Sequence, residues 1–504
     1  MAVHRPDMVL RAMVSAATAS HLAAALLATA EQRPRALAIA APDRTIAYGA
    51  LGRAVLGTAA ALFAAGVRPG DPAGLVVSDA PNDLIVLFAL YRLGVPIVIL
   101  SPQETAAERR GLLRRIGAGV CVGAAAHRVD DGARHLAYEH LPADGDPARL
   151  PPPPAADAVA YFNRSSGTTL GQVKLVGITH AQRMAREATL AAAFPRGPDD
   201  RHIHLMTLAN AFARSAATTM LQCGGAVLFP PPLREAGALA RFAREAGVTI
   251  AALSPPYIRD LLRYPSTGPL LPGVRLLVGT AALTTDERRR AIAHVTPHLH
   301  IGYSTNEAGY LALAGPADLA ADIDSVGRAL PGVEAEIVDE DLKRLPPGTP
   351  GELRFRHPGF PAAYVDEVAG STSRFRDGWF YPGDAGTIAA DGRITLHGRI
   401  DDVINVGGRK VHPTAIESWL ADHPEVAEAA VVALPAQRIG QAPVATVVLR
   451  RPVAEADLMA ACRARGGSLP MPARIVAVPS IPRNRAGKVD RSALIALLRA
   501  ALAL

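Results

Sequence analysis

Cysteine and aromatic residues are scarce in this sequence. The 504 residues include three cysteines, Cys121, Cys223 and Cys462, and only 5% of the residues are aromatic. An odd number of widely spaced cysteines argues against a disulfide-rich scaffold and does not match the spacing of zinc ligands. No arginine cluster alternates with aromatics, so a nucleic-acid-binding function is not expected. The cysteine usage favours a reduced, cytoplasmic location.

Lysine is scarce relative to arginine, and long uncharged runs are missing. Lysine occurs four times, at Lys174, Lys343, Lys410 and Lys488, whereas lysine and arginine together number 53. The net charge of +7 therefore comes largely from arginine, and a bias in codon usage can explain it without a polyanionic partner. No uncharged stretch approaches the ~18 residues of a membrane-spanning helix. The short apolar segment near the N-terminus has the wrong flanks for a signal peptide, so a soluble protein is predicted.

The chain is long enough for two to four subdomains, and its first third alternates strand-like and helix-like segments. A short strand and an amphipathic helix are predicted up to Gly66, followed by a buried strand, a helix over 81–94 and another strand. This β-α-β order is typical of parallel sheets covered by helices. The glycines of 117–123 precede a strand rather than open a helix, so a dinucleotide-binding turn is not predicted there.

The character of the sequence changes after about residue 320. Short strand-like segments separated by Gly and Asp turns predict an antiparallel, barrel-like unit, and the last hundred or so residues predict a small α+β unit. The expected fold is therefore α/β. A large N-terminal domain, residues 1–398, would hold two parallel-type α/β subdomains plus a small β-barrel-like subdomain, and residues 399–504 would form a small mobile α+β C-terminal domain.

A segment rich in glycine and hydroxyls, SSGTTLGQVK, spans residues 165–174. Its backbone N–H groups, hydroxyls and terminal lysine are groups that can surround phosphate oxygens. The spacing is not that of a Walker A loop, and a plain polar turn is the alternative for this segment taken alone. Three of the four lysines, at 174, 410 and 488, lie in glycine-containing stretches, and a lysine is a compact charge that reaches one oxygen.

Three further segments place chemically useful side chains beside glycines. GYSTNEAG, residues 302–309, contains an aromatic ring that could stack on a base and Glu307, which could hold Mg²⁺ near phosphates; an ordinary turn is the alternative. GWFYPGDAG, residues 378–386, contains Asp384, which could bind both ribose hydroxyls or simply occupy a β-turn. GRIDDVINVGGRKVHPTAIE, residues 398–417, combines an arginine, paired aspartates and two glycines, or forms a flexible hinge.

In this order the segments resemble the adenylate-forming (AMP-binding) superfamily, which comprises acyl- and aryl-CoA synthetases, carrier-loading adenylation domains and luciferases. The resemblance covers nearly the whole chain. It begins with residues 45–71 and 86–102 and continues through SSGTTLGQVKLVGITH, GTAAL, YSTNE, WFYPGDAG, GRIDDVINVGGRKVHPTAIE and PRNRAGKVDR. Six motifs in the family's order over more than 300 residues make the resemblance specific.

The resemblance implies a site for ATP and Mg²⁺. The loop residues that would bind the β- and γ-phosphates are Ser165, Ser166, Gly167, Thr168, Thr169, Gly171 and Lys174. The residues that would line or stack on the adenine are Gly279, Thr280, Ala281 and Tyr303. Asp384 would bind the ribose hydroxyls, and Arg399 would contact ribose or phosphate. Glu307 would hold Mg²⁺ together with Thr168.

The resemblance also implies the catalytic and mobile parts. Lys488 would bridge the substrate carboxylate and the α-phosphate, with Asn306, Glu307 and Arg399 as further catalytic residues. Asp401 would be the hinge at which the C-terminal domain rotates between two half-reactions. The residues that would face the tunnel of the thiol are Gly407, Gly408 and Lys410.

The sequence departs from the family pattern at several positions. Leu170 is inserted in the phosphate loop, and Val173 replaces a proline. Asn306 stands where a threonine usually faces the α-phosphate, and its amide can still donate a hydrogen bond. Further replacements are Ser304 for glycine, Pro382 for threonine and Asn484 for threonine. The Leu170 insertion is the most consequential, because loop length sets which N–H groups point inward.

One segment, LANAFARSAATTM at residues 208–220, bears on the acid. Amino-acid-activating relatives place an aspartate near the start of this helix to bind the α-amine, and this segment has no acidic residue. An uncharged acyl or aryl carboxylate is therefore expected. The candidate substrate-binding residues are His180, Phe212, Ala213 and Ala282. Arg214 is expected to face solvent, with contact to a second acidic group of the substrate as the alternative.

The predicted function is ATP-dependent activation of a non-amino-acid carboxylic acid as acyl-AMP, with release of pyrophosphate and then transfer to a thiol. Coenzyme A is the expected acceptor, and the phosphopantetheine arm of a carrier protein is the alternative. Adenylation without thioester transfer, and a non-catalytic nucleotide- or acyl-binding protein that retains the fold, also stay open. The sequence leaves the acid and the oligomeric state, monomer or homodimer, undetermined.

Overall fold

The computed structural model describes residues 21–128, 132–141, 145–165, 173–233, 236–365, 374–407, 409–436, 440–466, 471–483 and 489–502. Within these ranges, no helix has the length and apolar character needed to cross a membrane. The α-helices are α1 (Ala24–Gln32), α2 (Tyr48–Ala64), α3 (Pro81–Leu93), α4 (Ala106–Arg115), α5 (His180–Ala193), α6 (Ala211–Gln222), α7 (Ala236–Glu245), α8 (Pro255–Leu262), α9 (Thr285–His294), α10 (Pro316–Ala321), α11 (Pro413–Ala421), α12 (Glu455–Gly466) and α13 (Arg491–Leu502).

Two mixed sheets form the first part of the chain. The strands are β1 (Leu37–Ala41), β2 (Arg44–Ala47), β3 (Ala73–Val76), β4 (Ile97–Leu100), β5 (Val120–Gly123), β6 (Arg134–Ala137), β7 (Val159–Arg164), β8 (Leu175–Thr179), β9 (Arg201–Ile203), β10 (Ala226–Leu228), β11 (Ile250–Leu253), β12 (Arg275–Val278), β13 (Leu299–Thr305), β14 (Gly309–Ala314) and β15 (Arg328–Ala329). One sheet has the order β6-β5-β3-β4-β7-β8, and the other β15-β14-β13-β12-β11-β9-β10-β1-β2. Both are parallel at the centre; the first is antiparallel at the β7–β8 edge, and the second is antiparallel at both edges.

A third sheet is antiparallel, as the Gly- and Asp-rich turns predict. Its strands are β16 (Glu334–Val338), β17 (Gly351–Arg356), β18 (Phe375–Arg376), β19 (Trp379–Phe380), β20 (Asp384–Ile388) and β21 (Ile394–Arg399). The strand order is β18-β19-β17-β20-β21, with β16 also paired to β17. The β20–β21 register places Asp384 opposite Arg399, which joins two of the predicted motifs.

The C-terminal residues form a separate sheet with its own hydrophobic clusters. Its strands are β22 (Ile404–Val406), β23 (Arg409–Val411), β24 (Val426–Ala436), β25 (Gly440–Leu449) and β26 (Arg474–Ala477). Neighbouring residues of β24 point to opposite faces, so Val431 packs in one cluster and Val432 in another. The predicted α/β fold with a large N-terminal and a small C-terminal domain is confirmed. The predicted boundary after residue 398 stays a prediction, although the sheets change between Arg399 and Ile404.

Sequence signals at the ends of helices explain where several of them begin and stop. Thr105, Thr179 and Thr284 each accept a hydrogen bond from the backbone three residues on, where a Glu or Gln side chain accepts one in return. α3 starts with a proline and stops before Gly94, whose φ of 74° allows the left-handed turn that ends a helix. These local rules fix where the helices begin and end along the chain.

Candidate active site

Part of the predicted site lies outside the described residues. The predicted site residues outside them are Ser166, Gly167, Thr168, Thr169, Gly171, Gly408 and Lys488, and two of the departures, Leu170 and Asn484, lie outside them as well. Lys410 lies in β23, where only its backbone is described. The roles of these residues stay predictions.

The two ends of the predicted phosphate loop are held together by β7 and β8. These strands are antiparallel, with Arg164 opposite Leu175. Beyond this pair, the Ser165 N–H donates to Lys174 O at 2.8 Å, and the Lys174 N–H donates to Ser165 Oγ at 3.3 Å. Strand pairing therefore starts and ends the loop at the carboxyl end of β7, the edge at which α/β sheets commonly bind ligands.

Asp384 is the centre of a cluster that the third sheet builds against β13. The Tyr303 hydroxyl donates to Asp384 Oδ2 at 2.5 Å. Arg399 Nη1 donates to Asp384 Oδ1 at 3.2 Å and to Pro382 O at 2.6 Å. Burial first, and then the Asp384 charge, hold the pKa of Tyr303 well above its usual value, so its hydroxyl stays a donor. Three predicted site residues are therefore hydrogen-bonded to one another: Tyr303, predicted to stack on the adenine, Asp384, predicted to bind the ribose, and Arg399.

Glu307 is nearly buried, at 7% exposure, and its carboxylate and carbonyl have separate partners. The Tyr364 hydroxyl donates to Glu307 Oε1 at 3.0 Å. The ammonium of Lys174 lies 4.8 Å from the centre of the Tyr364 ring. Arg186 Nη2 donates to Glu307 O at 2.8 Å, and burial lowers the pKa of Arg186 to about 10. Glu307, the predicted metal ligand, and Lys174, at the end of the predicted phosphate loop, therefore both contact Tyr364. Glu307 contacts its hydroxyl, and Lys174 lies over its ring.

Asn306 is exposed and is hydrogen-bonded to β7. Its Nδ2 donates to Arg164 O at 2.7 Å, and Asn163 Nδ2 donates to Asn306 O at 2.9 Å. These two bonds join the YSTNE segment to the strand that enters the phosphate loop. The amide at the position of the usual threonine is therefore engaged with the protein backbone here.

Gly279, one of the residues predicted to line the adenine, is in close contact with the ring of Phe212. A Cβ at Gly279 would come within 2.5 Å of Phe212 Cε2, so glycine lets the Phe212 ring pack against this backbone. Thr280 has a φ of 76°, a left-handed conformation that costs a β-branched residue roughly 1–3 kcal/mol. Ala281 and Ala282 follow and are exposed. Strain of this kind is often concentrated at functional sites.

Two predicted substrate-binding residues are buried in different surroundings. Ala213 is 2% exposed in the first turn of α6, beside Phe212, where the Asn210 side chain accepts hydrogen bonds from both backbone N–H groups. His180 is 0% exposed and its Nδ1 accepts the Leu22 N–H at 3.2 Å.

The ring of His180 also packs edge-on against His21 and Tyr91. Burial first, and then the His21 charge, lower the pKa of His180 to about 4, so its imidazole is neutral at pH 7. His180 thus occupies a packing position, and its binding role stays a prediction.

The expectation that Arg214 faces solvent is wrong. Arg214 is 7% exposed, and its Nη1 donates to Leu208 O at 2.9 Å. Its Nη2 donates to Asn163 Oδ1 at 3.4 Å. The first turn of α6 directs this side chain back toward β7 because helical side chains point toward the N-terminus of their helix. In an arginine-rich sequence nothing local distinguishes this arginine from those at the surface.

Asp401, the predicted hinge, is in an electrostatic contact with two arginines. Its Oδ2 lies 3.6 Å from Arg399 Nη2 and 3.8 Å from Arg374 Nη2. The next residue, Asp402, pairs with Arg491 of α13 at 3.0 Å. Gly407 follows with a φ of 58°. The hinge role of Asp401 stays a prediction.

Three residues of the site were missed by reasoning from the sequence: Tyr364, Arg186 and Asn163. Tyr364 is 57 residues from Glu307, and Asn163 is 143 residues from Asn306. The only sequence signal was for Asn163, which lies two residues before the SSGTTLGQVK segment. Contacts over such separations come from the packing of different sheets.

Two family models match this chain. The model described as AMP-binding enzyme matches residues 26–365, and the model described as AMP-binding enzyme C-terminal domain matches residues 415–488.

Similar proteins share most of their length with this chain. It is 29% identical to a salicyl-AMP ligase / salicyl-S-ArCP synthetase of Mycobacterium tuberculosis, over 92% of this chain and 88% of that protein. It is 26% identical to an indoleacetate–CoA ligase of Aromatoleum aromaticum, over 91% of this chain and 94% of that protein. The structure of ATP-bound MatB from Rhodopseudomonas palustris matches with a TM-score of 0.84 at 25% identity, over 95% of this chain and 98% of that chain.

Proposed function

The chain belongs to the AMP-binding enzyme family, and from this premise we propose that it is an AMP-forming ligase that joins a carboxylic acid to a thiol. An acyl-AMP anhydride forms first, and a thioester forms second. The relatives support both steps, because one is named a CoA ligase and the other an AMP ligase and S-ArCP synthetase.

The observation that carries the proposal is the Tyr303–Asp384–Arg399 cluster. Asp384 accepts from a tyrosine of one sheet and an arginine of another, so its carboxylate is fixed in position while its remaining lone pairs are free to accept from two ribose hydroxyls. A preorganised carboxylate loses little freedom when a ligand binds. This geometry supports the ribose role that the resemblance implies for Asp384.

The first half-reaction makes a poor electrophile reactive. One carboxylate oxygen of the acid attacks the α-phosphorus of ATP, the bond to the oxygen that bridges to the β-phosphate breaks, and pyrophosphate leaves with that electron pair. Negative charge gathers around the α-phosphate in the transition state, and Lys488 would offset it from the C-terminal domain. Lys174, at the end of the phosphate loop, would offset charge on the departing pyrophosphate.

Glu307 is the residue that fits Mg²⁺. Its carboxylate is nearly buried and is oriented by Tyr364, and carboxylate oxygens are ligands that Mg²⁺ prefers. In the part of the chain that the structure describes, no group of three or more His, Cys, Asp or Glu side chains could hold a metal. Glu307 would therefore act together with phosphate oxygens of the nucleotide. When bound there, Mg²⁺ supplies charge neutralisation at the phosphates.

The second half-reaction uses the same cleft. The thiol sulfur attacks the acyl carbon, the bond from that carbon to the phosphate oxygen breaks, AMP leaves, and the thiol proton passes to solvent. Rotation of the C-terminal domain at Asp401 would withdraw Lys488 and admit the thiol, with Gly407, Gly408 and Lys410 facing it. Coenzyme A in the cytoplasm is the acceptor we favour, and a carrier protein's phosphopantetheine arm is the second candidate.

Pyrophosphate release with a panel of carboxylic acids tests the proposal. ATP and Mg²⁺ are supplied, and each acid is assayed with and without coenzyme A. We expect release with at least one acid, and loss of free thiol when coenzyme A is present. If release occurs without loss of thiol, the acceptor is a carrier arm or the enzyme stops at the adenylate. If ATP binds but no acid gives release above background, the chain is a nucleotide-binding protein and the proposal is wrong.

A further inference from the structure

Arg214 carries a charge that the described protein does not balance. Its guanidinium is buried and donates to Leu208 O at 2.9 Å, Ala209 O at 3.3 Å and Asn163 Oδ1 at 3.4 Å. All three acceptors are neutral oxygens. Among the described residues, no ion pair joins Arg214 to a carboxylate. An arginine stays ionised under these conditions, so a positive charge is buried beside the cleft.

The arginines nearest to Arg214 are balanced by carboxylates. Arg164 forms an ion pair with Glu104, and Arg183 forms one with Glu187. Burial lowers the pKa of Arg214; Tyr91 and Tyr161 oppose this shift, and the weaker effects of the Arg183 and Arg164 charges add to it. A buried charge without a counter-charge is costly. Because neutral carbonyls also hold the buried guanidinium of Arg288, the missing counter-charge bears on a ligand only together with the position of Arg214.

The position of Arg214 is close to residues predicted to bind the acid. It lies in the first turn of α6, two residues after Phe212, whose ring packs on Gly279. Asn163 accepts from Arg214 and donates to Asn306, which is exposed in the cleft. One amide side chain therefore links Arg214 to the exposed Asn306, and the contact to that amide is the longest of the three hydrogen bonds of Arg214. The N-terminal end of α6 adds a favourable field for an anion.

We propose that Arg214 binds a second anionic group of the acid, so that the substrate is a dicarboxylic acid. This inference rests on the proposed function. One carboxylate is activated beside Asn306, and the other stays ionised against Arg214 in place of the Asn163 oxygen. On this proposal the acid is a dianion, whereas the sequence led us to expect an acyl or aryl carboxylate with no second charge.

Each diacid is compared with its monomethyl ester. The ester has the same carbon skeleton but lacks the second negative charge. Pyrophosphate release is measured for a series of straight-chain and aromatic diacids with wild-type enzyme, Arg214→Gln and Arg214→Lys. We expect wild-type kcat/KM to favour one diacid over its ester at least tenfold. Arg214→Gln brings this ratio near one while turnover of the ester changes only a few-fold, and Arg214→Lys retains part of the preference.

Arg288→Gln is the matched control for removing a buried guanidinium. Arg288 is 5% exposed and donates to Leu283 O, Ile323 O and Ser325 O, all neutral carbonyls. We expect this variant to lose thermal stability and to keep the wild-type preference for the diacid. If Arg214→Gln does not fold, the comparison of Arg214→Lys with wild type decides the question.

Two outcomes separate this inference from the proposed function. If wild-type enzyme uses monocarboxylic acids or esters at least as well as every diacid, the Arg214 assignment is wrong and the ligase activity stands. If no acid gives pyrophosphate, the ligase activity fails. Calorimetric titration of wild type and Arg214→Gln with the diacids then decides the inference, because binding that is lost in the variant supports it and equal or absent binding overturns it.

Discussion

At the proposed nucleotide site, the Asp384 carboxylate accepts from the Tyr303 hydroxyl and the Arg399 guanidinium. At the proposed acid site, the acceptors of the Arg214 guanidinium among the described residues are all neutral oxygens. The first cluster is set by strand register, which fixes Asp384 opposite Arg399. The second is set by the first turn of α6 packing against β7.

This difference follows the two roles that we propose for the site. A rigid carboxylate whose charge is paired with an arginine suits a nucleotide, because its position is fixed before the ligand binds. A buried guanidinium that lacks a carboxylate partner among the described residues suits an anionic group of the acid. Changes on the nucleotide side should therefore affect every acid alike, and changes on the acid side should affect acids unequally.

Lys488→Ala should have the largest effect, because this lysine would act where the two sides meet, at the substrate carboxylate and the α-phosphate. We expect adenylate formation to fall at least ~100-fold for all acids, since a charged group that stabilises a transition state contributes that much. Pyrophosphate release from the folded variant is the measurement. Lys343→Ala is the control, because Lys343 is exposed and its ammonium lies 3.4 Å from the equally exposed Asp341. Near-normal release from Lys488→Ala would remove that residue from the mechanism.

Asp384→Asn should rank second and act on the nucleotide. It weakens charge-assisted hydrogen bonds to ribose and Arg399 that are worth about 1.5–3 kcal/mol, so the KM for ATP should rise about 10- to 100-fold. The relative rates with different acids should not change. Asp377→Asn is the control, because Asp377 lies in an exposed turn of the same sheet with a φ of 50° that asparagine tolerates. A change in acid preference would contradict the division of the cleft.

Gly279→Ala should have a smaller effect. Although Gly279 is on the predicted adenine side, its backbone packs against Phe212, a candidate acid-binding residue, so the effect should differ between acids. The new methyl would clash with the Phe212 ring, and overpacking of this kind costs about 1–3 kcal/mol. We expect about a tenfold loss of kcat/KM for bulky acids and a smaller loss for short ones.

Adding Phe212→Leu to the Gly279→Ala variant should restore part of the lost kcat/KM, because the smaller side chain leaves room for the new methyl group. A double-mutant cycle of the two substitutions measures the coupling between positions 212 and 279. Gly273→Ala is the control, since a Cβ there would meet nothing within 4 Å. An equal loss for all acids would place Gly279 on the nucleotide side only.

Tyr364→Phe should have the smallest effect. It removes the hydroxyl that donates to Glu307 and keeps the ring beneath Lys174. The loss of one hydrogen bond is worth about 0.5–1.5 kcal/mol, so turnover at saturating Mg²⁺ should fall only a few-fold. Titration with Mg²⁺ should show a rise in the concentration needed for half-maximal rate. An unchanged Mg²⁺ dependence would mean that Tyr364 does not position a metal ligand.

Much of the fold could be predicted from the sequence because its signals are local. The period of apolar residues, the threonine caps and Gly94 define helices and strands over a few residues each, and the predicted fold class is confirmed. The order of the motifs likewise predicted membership of the family, which is confirmed. The roles of single residues in the site stay predictions, because the contacts that would establish them involve a bound ligand.

The sequence by itself determined which motifs this protein has, since a motif is a property of neighbouring residues. Only the tertiary structure decided which charges are balanced. Arg164, Arg183 and Arg214 look alike in a chain with so much arginine, yet the first two meet glutamates and the third meets neutral oxygens. The physical reason is that burial and pairing depend on where separate sheets and helices pack. Arg214 reaches Asn163 across 51 positions of the chain, and no local pattern records that contact.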